Sequence, residues 1–97
     1  MEDCEEFLQI LKRINFAISD VDLDAMKITI SEAKYHSYYN YRLDKNSKSF
    51  ENEILKYIAP DYFVLNTKLE YNGYRTYIYK VDKKFTNSIS LIVKTIL

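Results

Sequence analysis

The chain has 97 residues with 14 basic and 14 acidic side chains, ten tyrosines, and one each of Gly, Pro, Cys and His. This length supports one hydrophobic core, so we predict a single globular domain over residues 1–97. One cysteine excludes a disulfide framework within the chain, and no stretch approaches the ~18 apolar residues of a membrane span. The acidic N-terminal region is unlike a signal peptide. We therefore predict a cytoplasmic protein without membrane association.

Charge is unevenly distributed along the chain. Residues 1–32 hold eight acids and three bases, a net charge of −5, whereas residues 33–97 hold six acids and eleven bases, a net charge of +5. If the two parts occupied different faces, their field would steer a charged partner. If folding intermixes them, no such field survives, and the sequence leaves both arrangements open.

The first predicted element is an amphipathic helix over residues 2–15. Its apolar residues recur at steps of three and four, with polar residues between them. Lys12 and Arg13 near its end complement the helix dipole. We expect the apolar side, which includes Cys4, to pack on the core of the domain.

Residues 19–43 admit two interpretations. Alternating apolar and polar residues over 26–31, and four tyrosines within 35–43, favour two strands, because β-branched and aromatic side chains fit a pleated surface. The alternative is a helix that begins near Ser19. We prefer strands over 26–31 and 35–43.

A second helix is predicted over residues 49–59, after a polar loop at residues 44–49. Ser49 is a suitable N-cap, and Phe50 and Ile54 begin an apolar stripe. Pro60 is expected to end the helix, because the residue before a proline is disfavoured in helical geometry.

A β-hairpin over residues 62–81 is the strongest local pattern. Asn72-Gly73 suits a two-residue type I′ turn, which needs positive φ at both positions. One side is expected to face the core, and it sets Leu65, Thr67, Leu69 and Tyr71 opposite Lys80, Ile78, Thr76 and Tyr74. The other side carries an ion pair and a cation–π pair and is expected to be solvated. It sets Val64, Asn66, Lys68 and Glu70 opposite Val81, Tyr79, Tyr77 and Arg75.

The last element, residues 88–97, is predicted as a third strand beside the hairpin. Its β-branched residues favour a strand, although the spacing of Ile89, Ile92 and Ile96 also fits a helix. With Lys94 as its one charged residue, segment 89–97 would be an exposed edge, and a homodimer through that edge is a further prediction.

These elements predict an α+β fold of order α-β-β-α-β-β-β. Two helices would pack on one face of an antiparallel sheet. The alternative is three helices followed by a three-stranded meander.

Residues suited to catalysis or metal binding are few. Asp20, Asp22 and Asp24 have the spacing of a calcium loop, but Ala25 and Ser31 stand where Gly and Glu are required. We therefore predict no metal site. A single glycine removes the Gly-rich nucleotide motifs, so no cofactor is expected. A small enzyme using His36, the sole imidazole, is the third-ranked hypothesis.

The tyrosines favour a binding function. Tyrosine is enriched in interfaces because it offers a large contact area at a small entropy cost. The predicted interaction surface consists of Tyr38, Lys68, Arg75, Tyr77 and Tyr79. The competing interpretation is that the tyrosines only cover a small sheet, with their hydroxyls in water.

We rank a protein partner first, because a chain of zero net charge has no basic excess. The predicted function is a non-enzymatic interaction module, such as an inhibitor, immunity or regulatory protein. Nucleic acid, with bases stacked on the tyrosines, is the second hypothesis. Abundant Ile, Lys, Asn and Tyr, which have AT-rich codons, favour a phage, plasmid or AT-rich bacterium as the source.

Overall fold

The computed structural model describes residues 2–38, 50–51, 53–58 and 62–96. The helices are α1 (Glu2–Ile14), α2 (Glu32–Tyr38) and α3 (Thr86–Ile96), and the strands are β1 (Ile18–Asp22), β2 (Lys27–Ser31), β3 (Phe63–Tyr71) and β4 (Tyr74–Val81). The strands form one antiparallel sheet of order β1-β2-β4-β3. The predicted α+β class is confirmed. Besides the helical residues 50, 51 and 53, three helices are described, as many as in the alternative prediction, and they are interspersed with the strands.

Helix α1 packs through the predicted apolar stripe. Phe7, Leu11 and Ile14 are fully buried. The ring of Phe7 stacks on Phe85 at a centroid distance of 4.2 Å and lies 5.2 Å from the ring of Phe63. Helix α1 therefore packs both on β3, through Phe63, and on Phe85, which directly precedes α3. The side chain of Cys4 lies outside the described residues.

The first hairpin, β1–β2, contains the predicted strand 26–31 as β2 and an unpredicted strand as β1. The register shifts between Ile18 and Asp20, so Ser19 lies at a bulge and the alternation of β1 is interrupted. Asp22 Oδ1 accepts a hydrogen bond from the Ala25 N–H at 3.0 Å, and Met26 closes the turn with φ of 55°. The bulge explains why no strand pattern is visible at residues 18–22.

The predicted strand 35–43 is wrong over residues 35–38, which belong to α2. Ser31 Oγ accepts a hydrogen bond from the Lys34 N–H at 3.1 Å and so caps the first turn of the helix. Tyr35 and His36 are buried. Capping and burial therefore outweigh the strand propensity of the aromatic residues. Residues 39–43 lie outside the described part of the chain.

The predicted helix 49–59 is described in part. Residues 50, 51 and 53 are helical, and Leu55–Tyr57 form a 3-10 turn. Phe50 and Ile54 are fully buried, as their apolar stripe predicts. The predicted cap Ser49, the loop at 44–49 and Pro60 lie outside the described residues.

The β3–β4 hairpin has the predicted turn, with φ of 53° at Asn72 and 82° at Gly73. The predicted register holds from the turn as far as the pair Thr67 and Ile78. A bulge between Leu65 and Thr67 then shifts the pairing, so that Leu65 pairs with Tyr79 instead of Lys80. Beyond the bulge, Leu65 therefore lies on the same side of the hairpin as Tyr79, and Val64 on the same side as Lys80.

The buried side of this hairpin is the reverse of the prediction. Tyr77 is 6% exposed and Val81 is buried, whereas Tyr71 is 78% exposed. The reason lies in β2, which pairs Ile30 with Tyr77 and places its own buried isoleucines on that side. The core therefore forms on the side carrying residues 75, 77, 79 and 81, and the helices pack there.

The predicted strand 88–97 is wrong, since Thr86–Ile96 form α3. Ile89 and Ile92 are buried at a helical spacing, whereas Leu91 is 49% exposed. Packing of this stripe against α1 outweighs the β-branched composition. Segment 89–97 is not an edge strand over its described residues, so the predicted homodimer through that edge is also wrong.

Candidate functional site

Four of the five predicted interaction residues lie together on the helix-covered face of the hairpin. The rings of Tyr77 and Tyr79 stack with centroids 6.3 Å apart. Lys68 Nζ lies 5.6 Å from the centroid of the Tyr77 ring, and the guanidinium carbon of Arg75 lies 6.0 Å from it. Tyr77 is buried, Tyr79 and Arg75 are half-buried, and Lys68 is exposed at the rim. Most of this cluster belongs to the core.

Tyr38, the fifth predicted residue, lies apart from that cluster. It ends α2, is 63% exposed, and places its ring 4.4 Å from the ring of Phe16. The structure therefore does not assemble the five residues into one surface.

A buried ion pair holds Arg75 in place. Glu32 Oε1 accepts hydrogen bonds from the backbone N–H of Arg75 at 2.9 Å and from its Nε at 3.1 Å. Arg75 Nη1 also lies 3.6 Å from Glu51 Oε2. The predicted partner of Arg75 was opposite it on β3, but Glu70 makes no salt bridge among the described residues. This network joins the start of α2 to β4.

The electrostatics of this pair favour the charged forms. Burial acts to raise the pKa of the Glu32 carboxyl, but the hydrogen bonds and positive charge of Arg75 outweigh it and hold that pKa below its ordinary value. The hydrogen bond with Glu32 in turn raises the pKa of Arg75. The pair is therefore a structural element whose strength depends on an ionised Glu32.

His36, the residue of the enzyme hypothesis, lies beside this ion pair. Its Nε2 is 3.7 Å from Glu32 Oε2, and its ring is 5.3 Å from Tyr35 and 5.8 Å from Tyr74. The side chain is almost fully buried. In this position the imidazole does not contact solvent, and the enzyme hypothesis remains a prediction.

The other face of the sheet, the open face, has no buried residue among those described. It consists of Asp20, Asp22, Lys27, Thr29, Ser31, Val64, Thr67, Leu69, Tyr71, Tyr74, Thr76, Ile78 and Lys80. The ring of Tyr74 lies 5.8 Å from that of His36 in α2. The other side chains form a surface spanning all four strands, because the helices pack on the opposite side. Its centre is aliphatic and threonine-rich.

The strand register arranges the open face in rows. One row crosses all four strands through Asp20, Thr29, Ile78 and Thr67. The neighbouring row toward the β1–β2 turn contains Asp22, Lys27, Lys80 and Val64. Two acids and two bases thus give the open face zero formal charge. The arrangement offers a contact surface on a hydrogen-bonded backbone.

The described residues contain neither a metal-binding cluster nor a membrane-spanning helix. Within residues 2–38, 50–51, 53–58 and 62–96, no group of three or more His, Cys, Asp and Glu side chains is placed to hold a metal ion. No helix in the same ranges has the length and apolar character needed to cross a membrane.

Sequence reasoning missed the open face because it assigned Leu69 and Tyr71 to the core. It also left Glu32 between the predicted strands 26–31 and 35–43, whereas a helix begins at Glu32 and is capped by the Ser31 side chain. The alternation of Ile28 and Ile30 is visible in the sequence, but the side of β4 on which these residues pack is not.

Comparison of the chain with protein-family models, curated proteins and solved structures finds no match in any of the three.

Proposed function

We propose that this protein is a non-enzymatic interaction module that binds a protein partner through the open face. One observation supports the proposal above the others: four paired strands present a face with no buried residue among those described. On it Val64 is 65% exposed, Leu69 52% and Tyr71 78%. Exposed apolar and tyrosine side chains on one face are typical of protein interaction sites.

The charge of the open face favours protein over nucleic acid as the partner. A nucleic-acid site needs an excess of Lys and Arg to neutralise phosphates. Here Asp20 and Asp22 balance Lys27 and Lys80. A face of zero charge with an aliphatic centre suits a protein surface of the same character.

The proposal gives the predicted tyrosines a supporting role. Tyr77 packs on Phe50 and Arg75 pairs with Glu32 of α2, while Tyr79 stacks on Tyr77. These contacts hold β4 against helical residues, so the strands behind the open face keep a fixed geometry. A preorganised face loses little entropy on binding. Such a face acts by covering a surface of its partner, as an inhibitor, immunity or regulatory protein does.

The test is affinity capture from cells of the organism that encodes the protein. Three baits are compared: the native chain, Val64→Glu on the open face, and Leu91→Glu on α3. Both replaced residues are exposed aliphatic side chains, so the two substitutions are chemically matched. A protein captured by the native chain should be recovered equally with Leu91→Glu. It should be recovered at least about tenfold less with Val64→Glu, if the substitution costs more than ~1.4 kcal/mol of binding free energy.

Equal recovery of every bound protein by all three baits would contradict the proposal. A titration with single-stranded oligonucleotides at two salt concentrations addresses the nucleic-acid hypothesis. Binding that weakens with salt would favour that hypothesis over a protein partner.

A further inference from the structure

Strand β3 is a long edge of the sheet. It has nine residues, all of which except Asn66 at the bulge pair with β4 on one side, and no other described strand pairs with it. The opposite edge, β1, has five residues and a bulge. Proteins commonly protect a sheet edge by making it short, charged or bulged, because unpaired backbone groups can pair with another chain. From residue 67 to the turn, β3 has Lys68 and Glu70 as its only charged residues and contains no bulge.

The hydrogen-bond pattern of the hairpin determines which β3 residues can pair outward. In a hairpin with a two-residue turn, the flanking residues Tyr71 and Tyr74 form a hydrogen-bonded pair, and the pattern then alternates. The Arg75 N–H follows this alternation, since it donates to Glu32 and not to β3. Lys68 and Glu70 therefore direct their N–H and C=O groups away from β4.

We propose that two copies of this chain pair along β3, antiparallel, with Lys68 of each copy opposite Glu70 of the other. In a two-fold antiparallel pair, outward-directed residues must face outward-directed residues. Pairing Lys68 with itself or Glu70 with itself would set like charges opposite each other, which is destabilising. The remaining register brings opposite charges together twice, and it places the two-fold axis at Leu69.

The ends of the paired segment agree with this register. The ladder runs from Thr67 to Tyr71 on each copy, so it ends at the bulge on one side and at the Asn72-Gly73 turn on the other. Thr67 then faces Tyr71 of the other copy, and the two Leu69 side chains, each 52% exposed, face one another on the open face. Each Lys68–Glu70 pair exchanges two backbone hydrogen bonds, about four in total.

The resulting dimer has one continuous sheet of eight strands and an open face of twice the width. The interface is small, which places the dimer in the weak class. The inference is separate from the proposed partner binding. It depends on the backbone edge at residues 67–71, whereas Val64, the position that tests the open face, lies beyond the bulge.

Sedimentation equilibrium with charge variants tests the proposal. For the native chain, the average mass should rise from 11.6 kDa toward twice that value between about 10 μM and about 1 mM. Lys68→Glu and Glu70→Lys each set like charges opposite one another and should raise the dissociation constant about tenfold. The double variant Lys68→Glu/Glu70→Lys, and an equimolar mixture of the two single variants, should both regain association.

Recovery in the mixture also shows that each single variant is folded. A native chain that stays at the monomer mass throughout would overturn the proposal. So would a dimer that both single variants form as readily as the native chain, because its contact would lie elsewhere.

Oxidative cross-linking tests the position of the axis. In a Cys4→Ser background, which removes the single native cysteine, Leu69→Cys should give a disulfide-linked dimer because the two residues 69 face each other. Thr67→Cys should give much less, since residue 67 faces residue 71 of the other copy. Equal cross-linking of both variants would contradict the register.

Discussion

The two faces of the β3–β4 hairpin have similar residue types and opposite environments. On the helix-covered face, Tyr77 stacks near Tyr79 and Phe50. On the open face, Tyr71 and Leu69 are exposed. Both faces carry tyrosine, aliphatic residues and at least one charge. The difference shows that the composition of a hairpin does not determine which side is buried, because the neighbouring strand and helices determine it.

The comparison also separates two roles for tyrosine. A buried tyrosine stabilises the fold through the apolar area that it removes from water. An exposed tyrosine contributes little to the fold and offers its contact area to a partner. The helix-covered face should therefore respond to substitution with a loss of stability, and the open face with a loss of binding.

The largest expected difference is between Tyr77→Ala and Tyr71→Ala. Removing the buried ring of Tyr77 leaves a cavity between Phe50 and Tyr79, and we expect the free energy of unfolding to fall by about 3 kcal/mol or more. Removing the exposed ring of Tyr71 should change it by less than about 0.5 kcal/mol. Urea denaturation measures both, and equal losses would contradict the assignment of the two faces.

The second prediction concerns the ion pair that ties the helix-covered face to α2. Glu32→Gln should reduce the free energy of unfolding at about pH 7 by roughly 1–3 kcal/mol, because Arg75 loses its buried carboxylate partner. Glu51→Gln is the control. Its carboxylate is exposed and 3.6 Å from Arg75, so the loss should be much smaller.

The effect of Glu32 should depend on pH. The folded state lowers the pKa of Glu32 below its ordinary 4.5, so its stabilising contribution is complete above that value and is lost as the pH falls through the lowered pKa. The stability difference between the native chain and Glu32→Gln should therefore shrink in acid. A stability difference between the two proteins that grows below pH 4.5 would contradict a lowered pKa of Glu32.

The smallest effect is expected at Tyr79, on the same face. Burial, and secondarily the neighbouring Tyr77, raise the pKa of Tyr79 to about 12. The stabilisation linked to the raised pKa of Tyr79 is present below pH 10.0, the ordinary pKa of a tyrosine, and is lost as the pH rises toward 12. In an ultraviolet absorbance titration, Tyr79→Phe should remove an ionisation step near 12. Tyr71→Phe, the exposed control, should leave that step in place, and its loss in the control would contradict the assignment.

Local patterns predicted the elements that local interactions determine. Asn72-Gly73 identified the turn, because few other residues accept positive φ at two successive positions. The stripe of α1 identified its buried side, because Phe7, Leu11 and Ile14 have no other common face. Both predictions needed only neighbouring residues.

Tertiary packing decided the elements that the sequence misassigned. Ile89 and Ile92 fit a strand by propensity and a helix by spacing, and burial next to α1 favoured the helix. The pairing of β2 with β4 determined which side of the hairpin is buried, and the bulge at residue 66 placed Leu65 on the side opposite to Thr67. The open face could not be found from the sequence, because its exposure depends on where the helices pack.

Site-specific photo-cross-linking determines whether the open face contacts a partner. A benzoylphenylalanine residue replaces Val64 on the open face or Leu91 on α3, and both proteins are irradiated in cells of the organism that encodes them. We expect a covalent adduct with another protein from position 64 and none with that protein from position 91. No adduct from position 64, or the same adduct from both positions, would show that the open face is not the contact surface.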